Sequence, residues 1–551
     1  MNDTHHVERE RFFGAAKVVA GLTLLSRILG LLRDRAIFAF GANRLTDTFW
    51  AAFRIPNTFR RLFGEGALSA AFVPVFTHVA EAQGWAKARL VLANTAGVLA
   101  MLLAAILLLV EGGVGAWLIV RPGAWDRTLL LQLLLIVMPF MVTVCLLALG
   151  AAALQCKGRF AYPAFAPVIL NVCMIVAALA ARAWLAGASQ GGLFLLASAV
   201  IVAGVVQLAG VVWMLHRVGL AVVPRPKPIL PEVKRMGKLF LPMLVPLGVV
   251  QFSSFFDGVY AWWMTATPES PTVKLLWWTV ARPLEDGVVT HLYAAERLYS
   301  FPMGILAISI ATVVFPLFSR YASRNDTAGL RDATNRALRL CGFLAIPAGV
   351  ALIVLAEPAI ATVYRSGKFQ PRDVADSAYV LRMYCLGMWA YFCNHILLRA
   401  FFSRQDVRTP LRVSICLSSV NIILVAALVF SPLRAGAIGL ATATTSTANS
   451  LILIWVLRSR WGRIGFRRIV AALGKTALAT AGMAGAMWAA WRYVFPWVQR
   501  LHPALQRDWA GHFAPAVVLL ILCIFAGLGV WVVLVVALRC EELRELRSVK
   551  E

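Results

Sequence analysis

Arg27, Arg33, Asp34 and Arg35 stand inside "SRILGLLRDRAIFAFG" (Ser26 to Gly41), a run that otherwise reads as an apolar helix. The pattern returns twice. "DTFWAAFRIPNTFRRLFGEG" sets Asp47, Arg54 and Arg61 on a seven-residue stripe with Arg60 beside it, and "AAERLYSFP" adds Glu296 and Arg297. Arg27 and Asp34 share one helical face, and Arg33 lies about a third of a turn away. A guanidinium held at mid-membrane costs about 2.5–3.5 kcal/mol on insertion scales, so it turns toward a cavity or a partner. Arg35, Arg54 and Arg61 lie near helix ends and have the simpler reading of snorkelling to headgroups. Arg27, well inside its helix, resists that reading, and Arg33, Arg60 and Arg297 recur on three separate segments. Several cations with few acids point to an anionic ligand, and planar arginine forks suit phosphate or pyrophosphate oxygens.

The elements that carry these residues follow from composition. The 551 residues are 60% hydrophobic and 14% charged, with mean hydropathy +0.76. Apolar runs such as "LVLANTAGVLAMLLAAILLLV" and "FAPAVVLLILCIFAGLGVWVVLVVAL" are long enough to cross a hydrocarbon core of about 30 Å. The period-2 alternation of a membrane β-barrel is absent. The expected fold is an all-α polytopic membrane protein with about fourteen transmembrane helices, at roughly 17–40, 47–80, 88–112, 128–153, 163–187, 193–217, 237–264, 289–320, 336–363, 375–403, 411–431, 437–458, 471–495 and 513–539. No small-residue cleavage site follows the polar N-terminus, so a cleaved signal peptide is not expected.

Loops between these spans alternate in charge. "HRVGLAVVPRPKPILPEVKRMGK", "SRYASRNDTAGLRDATNRALR", "SRQDVRTPLR" and "RSRWGRIGFRR" belong to one set; "GASQGG", "SPLRAG" and "MTATPESPTVK" belong to the other. The basic set reads as cytoplasmic, which puts both termini there. Much of the net charge of +27 is therefore topological, and no nucleic-acid partner is expected. Spans 2 and 8 are weakly similar: each has an arginine near a first proline and ends at a second proline beside aromatics. With the Pro-rich stretch at 224–231, this divides the chain into an N-terminal lobe (1–223, spans 1–6), a basic linker (224–236), a C-terminal lobe (237–460, spans 7–12) and a tail section (461–551) with spans 13 and 14. Two six-helix lobes around a midplane site are a common transporter plan. An extended outer loop at about 265–288 contains "LLWWTV", too short to span and suited to the membrane interface.

Patterns for covalent chemistry are missing. Gly474-Lys475-Thr476 lacks the leading glycine of a phosphate-binding loop, since Ile469 stands there. There is no HExxH or GxSxG pattern, and His291 and His395 are isolated residues that read as packing partners. The nine cysteines are scattered singly, without metal spacing, and read as small core residues. No catalytic residues and no resident cofactor are expected. Glu285 and Asp286 form the only adjacent acidic pair in the outer loop, the place where a saccharide polymerase or glycosyltransferase would need acids.

"SRILGLLRDRAIFAFGANRLTDTFWAAFRIPNTFRRLFGEGALSAAFVPVF", "AAERLYSFPMGILAISIATVVFPLFSR" and "SGKFQPRD…FFSRQDVRTPLRV" resemble the MurJ (MviN) lipid II flippases of the multidrug/oligosaccharidyl-lipid/polysaccharide exporter superfamily. The resemblance runs over nearly the whole chain. It implies a transporter, not an enzyme, that moves undecaprenyl-pyrophosphoryl-MurNAc-pentapeptide-GlcNAc between leaflets of the bacterial cytoplasmic (inner) membrane for peptidoglycan synthesis. Its implied fold is two six-helix lobes around a central cationic cavity, with spans 13 and 14 forming a groove for the lipid tail. The family's cavity arginines correspond to Arg27, Arg33, Arg60 and Arg297, and its functional acid early in span 2 corresponds to Asp47. Ser26, Asp34 and Glu296 also fall on motif positions. Implied partners are lipid II and membrane lipids, with the chain as a monomer or within a cell-wall synthesis complex.

Two positions depart from the pattern. Ser300 stands where some members carry an acid. Some members also hold a sodium ion; Asp257, Asn421 and Thr442 match three of its ligands, but Val425 replaces a second aspartate. Asp257 therefore reads as a sodium ligand, a proton-sensitive group or a polar packing residue. Competing functions are a multidrug antiporter, whose cationic substrates an arginine-lined cavity would repel, and an O-antigen-type flippase, which the motifs and the two extra spans disfavour.

Overall fold

The computed structural model describes residues 2–62, 68–120, 123–185, 187, 189–275, 277–462, 465–494 and 513–548. Helices stand at all fourteen expected spans. Among the described residues, ten helical segments are long and apolar enough to cross a bilayer; the segment bearing Arg27, Arg33, Asp34 and Arg35 is not one of them. The chain is an all-α polytopic membrane protein. Its outer faces are apolar: Leu108, Leu109, Val120, Phe525 and Val533 are each at least 66% exposed, the surface expected of helices solvated by lipid.

The chain divides into two compact units, Met1–Trp262 and Trp263–Glu551. The first contains α1 (Asn2–Phe38), α2 (Arg44–Phe59), α3 (Leu68–Val120), α4 (Trp125–Val137), α5 (Phe140–Cys156), α6 (Ala161–Trp184), α7 (Gln190–Arg217) and all but the last residue of α8 (Pro231–Trp263). Within it α1 packs on α6, α6 on α7, and α3 on α5. The second contains a two-stranded antiparallel hairpin, β1 (Thr272–Leu275) and β2 (Trp278–Ala281). Its helices are α9 (Val288–Pro302), α10 (Ile308–Ser323), α11 (Thr327–Val354), α12 (Ala356–Tyr364), α13 (Pro371–Cys385), α14 (Met388–Ser403), α15 (Arg408–Leu428), α16 (Gly436–Trp461), α17 (Phe466–Ala489), α18 (Phe513–Ala537) and α19 (Glu541–Ser548). There α11 packs on α14 and α17, and α17 on α18.

Local chemistry sets the breaks. Gly84, at φ +83° and ψ +165°, interrupts α3 between the second and third expected spans; a residue with a Cβ would be strained there. α2 begins with a capping box, in which Asn43 accepts from Thr46 N–H and the Thr46 hydroxyl answers Asn43 N–H. After Pro56 it passes into a π-helical turn at 60–62. α9 does the same: Pro302 is followed by a π-helical turn at Met303–Ala307. Each of the weakly similar spans 2 and 8 thus has a π-helical turn after its first proline, four residues on in span 2 and immediately after in span 8. Turns of this type concentrate at functional sites, and Arg60 opens the first of them.

The Pro-rich linker is pinned to α3. Asn94 Nδ2 donates to the carbonyls of Arg225 (2.7 Å) and Pro228 (2.8 Å), and its Oδ1 accepts from Leu230 N–H at 2.9 Å. Gly97 lies so close beneath the Arg225 backbone that a Cβ would collide with it. In the outer loop, the "LLWWTV" stretch gives Leu275 to β1 and Trp278, Thr279 and Val280 to β2, with Trp277 88% and Trp278 75% exposed. Glu285 accepts from Arg372 and from Arg434, the latter at 2.6 Å, so this half of the acidic pair is held in exposed ion pairs.

An unanticipated knot closes one end of the first unit. Arg44, 4% exposed, gives Nε and Nη2 to Asp126 Oδ2 (3.0 and 2.5 Å) and Nη1 to Trp262 O (2.8 Å). Its guanidinium stacks over the Trp262 ring at 4.3 Å, and Trp262 Nε1 donates to Thr48 Oγ1 at 3.1 Å. One arginine thereby joins α2, α4 and α8. Asp126→Ala strands that cation and is expected to destabilise the protein by about 3–5 kcal/mol, whereas the paired Arg44→Met/Asp126→Leu variant loses far less. Thermal unfolding of the purified variants in detergent checks the difference.

Candidate functional site

α1 supplies the densest charge in any apolar segment, and the fold answers it from α6. Arg33 is 5% exposed and Asp34 fully buried. Arg33 Nε and Nη2 both donate to Asp34 Oδ1, at 2.9 and 2.6 Å, and Nη1 donates to Asn171 Oδ1 at 3.1 Å. Asn171, itself 5% exposed on α6, turns its Nδ2 to the Ser26 carbonyl at 2.9 Å. One amide therefore grips α1 at two levels, seven residues apart. This geometry fixes the guanidinium plane while Asp34 offsets its charge, as a buried ion requires. Ser26 enters through its main chain, and Arg27 is half-buried one residue further along α1.

Asp47 is fully buried in the first turn of α2, where a carboxylate is favoured by the helix dipole. Arg60 is half-buried in the π-helical turn, and its Nε donates to Asn57 Oδ1 at 2.9 Å. Arg54, read from sequence as a snorkelling residue, lies with its guanidinium against Gly258 of α8, where a Cβ would collide with Nη1. Arg61 is exposed and reaches Gln251 Oε1 at 3.5 Å. Ser26, Arg27, Arg33, Asp34, Asp47 and Arg60 all belong to the first unit. Glu296 and Arg297 are half-buried on α9 of the second unit, one helical turn before Pro302 and its π turn.

The oxygens proposed for sodium are differently engaged. Asp257 is 4% exposed on α8 in the first unit. Asn421 Oδ1 accepts from Thr445 Oγ1 at 3.2 Å, and Thr442 Oγ1 donates to its own helix at Ile438 O, 3.0 Å away. Val425 is fully buried, so an apolar side chain fills the position of the missing aspartate. Among the described residues no group of three or more His, Cys, Asp or Glu is gathered for a metal. This donor set brings one carboxylate to a hard cation, a poor fit. Gly474, Lys475 and Thr476 lie in the middle of α17, with Thr476 Oγ1 bonded back to Ala472 O at 2.9 Å, which is a helix interior and not a phosphate loop. His291 Nε2 stands 3.6 Å from Asp373 Oδ1.

Two residues escaped the sequence reading. Asn171 had a visible signal, an amide in the middle of "FAPVILNVCMIV", where an unpaired polar group is expensive. Arg44 had none, because a short loop next to a helix start is an ordinary place for arginine.

The family model described as "Lipid II flippase MurJ" matches residues 38–506. The chain belongs to the MurJ family. A probable lipid II flippase MurJ of Vibrio cholerae is 33% identical over 493 residues, covering 87% of this chain and 89% of the relative. The lipid II flippase MurJ of Burkholderia cenocepacia is 32% identical over 464 residues, 81% and 84% of the two chains. Among solved structures, a lipid II flippase MurJ in an inward closed conformation aligns with TM-score 0.69 at 21% identity, over 95% of this chain and 98% of that one. An inward-facing MATE-family multidrug transporter aligns with TM-score 0.65 at 14% identity, covering 82% of this chain and 98% of that one, a likeness of fold alone. The match to MurJ extends through the arginine-bearing α2 and α9. This MurJ-family chain is a transporter and a multi-pass membrane protein.

Removing the α6 clamp tests the site's construction. Asn171→Ala removes its two bonds, to Arg33 Nη1 and to the Ser26 carbonyl, and is expected to cost about 1–3 kcal/mol. Asn171→Gln, which keeps the amide, is expected to recover part of it. Thermal unfolding of both variants, beside growth complementation at matched expression, reads the effect.

Proposed function

We propose that this chain moves lipid II from the cytoplasmic to the periplasmic leaflet of the bacterial inner membrane for peptidoglycan synthesis. Family membership supports the substrate. The observation that carries the mechanism is Arg33, a guanidinium buried in an apolar helix and held at fixed orientation by Asp34 and Asn171. Such a group is preorganised for a phosphate oxygen, which can take over the charge that Asp34 now offsets. Arg27 and Arg60 stand with it in the pyrophosphate-binding set. Arg297, from the second unit, is assigned to the same headgroup by the family motif, as are Asp47, Ser26 and Glu296 to the substrate-binding residues.

In this reading the two-lobe division and the basic linker at 224–236 serve alternating access. The headgroup binds from the cytoplasmic side while the polyprenyl tail stays in lipid, and a rocking motion then exposes it outside. The basic loops and both termini face the cytoplasm. Membrane potential adds about 2.3 kcal/mol for each elementary charge moved through 100 mV. The chain works as a monomer with lipid II as its lipid-linked oligosaccharide cargo.

Conditional depletion of an endogenous flippase, followed by complementation with Arg27→Ala, Arg33→Ala, Arg60→Ala or Arg297→Ala, tests the assignment. Loss of rescue at normal membrane expression is expected for Arg33→Ala and at least one other. Full rescue by all four defeats the pyrophosphate clamp.

A further inference from the structure

Two arginine-rich segments of the second unit, after α14 and at the end of α16, meet at one cleft. Arg404, after α14, donates Nη2 to Thr327 Oγ1 at the start of α11, 2.9 Å away. Arg460, in the last turn of α16, donates Nη1 to Asp406 Oδ2 at 2.6 Å and Nη2 to Thr409 Oγ1 at 3.0 Å. Phe401, Arg404, Asp406, Arg460 and Trp461 line the resulting cleft of about 300 Å³. Phe401 and Trp461 give it an apolar wall, and the Arg404 guanidinium lies 5.6 Å from the centre of the Trp461 ring.

The hydrogen-bond pattern leaves one donor unanswered. Arg404 Nε is buried and has no acceptor among the described residues. A carboxylate stands in the same cleft, but Asp406 gives one oxygen to Arg460 and the other to Thr409 N–H, 3.0 Å away. Burial alone would raise the Asp406 carboxyl, but the Thr409 bonds and the Arg460 charge outweigh it and hold it below the usual range. Asp406 is thus a committed anion that fixes Arg460, and Arg404 keeps an open donor beside it. A buried N–H without an acceptor is costly, and an incoming oxyanion would relieve that cost.

The geometry points to a second anion site, distinct from the α1 cluster, in which Arg404 and Arg460 bind the phosphate of an anionic phospholipid headgroup. The aromatic wall fits this chemistry, because tryptophan is favoured at the membrane–water boundary. Basic pockets between transmembrane helices on the cytoplasmic side take acidic headgroups. The same two guanidiniums would hold a free phosphate, so the test separates the sources.

The full-length protein in detergent is titrated with phosphatidylglycerol, with phosphatidylcholine and with inorganic phosphate, and bound ligand is counted by native mass spectrometry. Phosphatidylglycerol is expected to saturate one site that phosphatidylcholine does not fill. Arg404→Gln weakens it about fivefold and Arg404→Lys restores part of the loss, while Asp406→Asn, which removes the competing charge, tightens it. Because the variants act in opposite directions, general destabilisation cannot imitate the result. Phosphate binding that Arg404→Gln abolishes while leaving phosphatidylglycerol unchanged overturns the lipid assignment in favour of the free anion. Unchanged binding of both ligands in Arg404→Gln and Asp406→Asn overturns the site itself.

Discussion

Burying a guanidinium in an apolar helix is the constraint around which the first unit is built. Arg33 could not sit in α1 without an anion and an acceptor at hand, and both are supplied within two helices. Asp34 comes from the adjacent residue, and Asn171 crosses from α6 to hold the guanidinium and the Ser26 carbonyl together. The packing of α1 against α6 therefore carries a polar clamp within it. Full hydrogen bonding is what makes such a charge tolerable in low dielectric. It also leaves an arginine whose orientation is set before any ligand arrives.

The same principle recurs at Arg44, with a different consequence. There the cation is fully answered by Asp126, Trp262 and Thr48's tie to the indole, and the cluster joins three helices at one end of the unit. Arg339 in the second unit is answered by charge: Glu541, Glu542 and Glu545 of the C-terminal α19 meet its Nη1 and Nη2 at 2.8–2.9 Å. These two are best understood as joints of the scaffold. Arg33, by contrast, has its charge balanced by its own neighbour in sequence, so an incoming phosphate competes with Asp34 on the same helix while Asn171 keeps its hold on the Ser26 carbonyl.

Most of the architecture was legible because lipid demands long apolar helices, and hydropathy reports them directly. The interruptions were partly legible. A proline inside each of spans 2 and 8 is visible in the sequence, but the π-helical turns that follow Pro56 and Pro302 are not, since they depend on how the freed carbonyls are satisfied. The separation of α3 at Gly84 fell where a loop was expected. "LLWWTV" is legible as too short to span, yet the strand pairing of Thr279 and Val280 depends on Lys274 and Val273, outside the stretch. At the site, charge in an apolar run exposed Arg27, Arg33 and Asp34 at once. Asn171 was passed over because an isolated amide has no periodic partner in sequence, and only the α1–α6 contact gives it meaning. The neighbour of Arg54 was hidden for a similar reason: position along a helix says nothing of a glycine, Gly258, on another.

The central claim is that fixed guanidiniums recognise the pyrophosphate of a lipid-linked cargo. Its most direct measurement is lipid II accessibility in proteoliposomes containing the purified chain, with polyprenyl competitors added at constant salt, pH and voltage. Undecaprenyl pyrophosphate should suppress transport strongly, and undecaprenol, with the same tail and no phosphate, should leave it nearly unchanged. Equal suppression by the two would show that the tail is read instead, and would contradict the account.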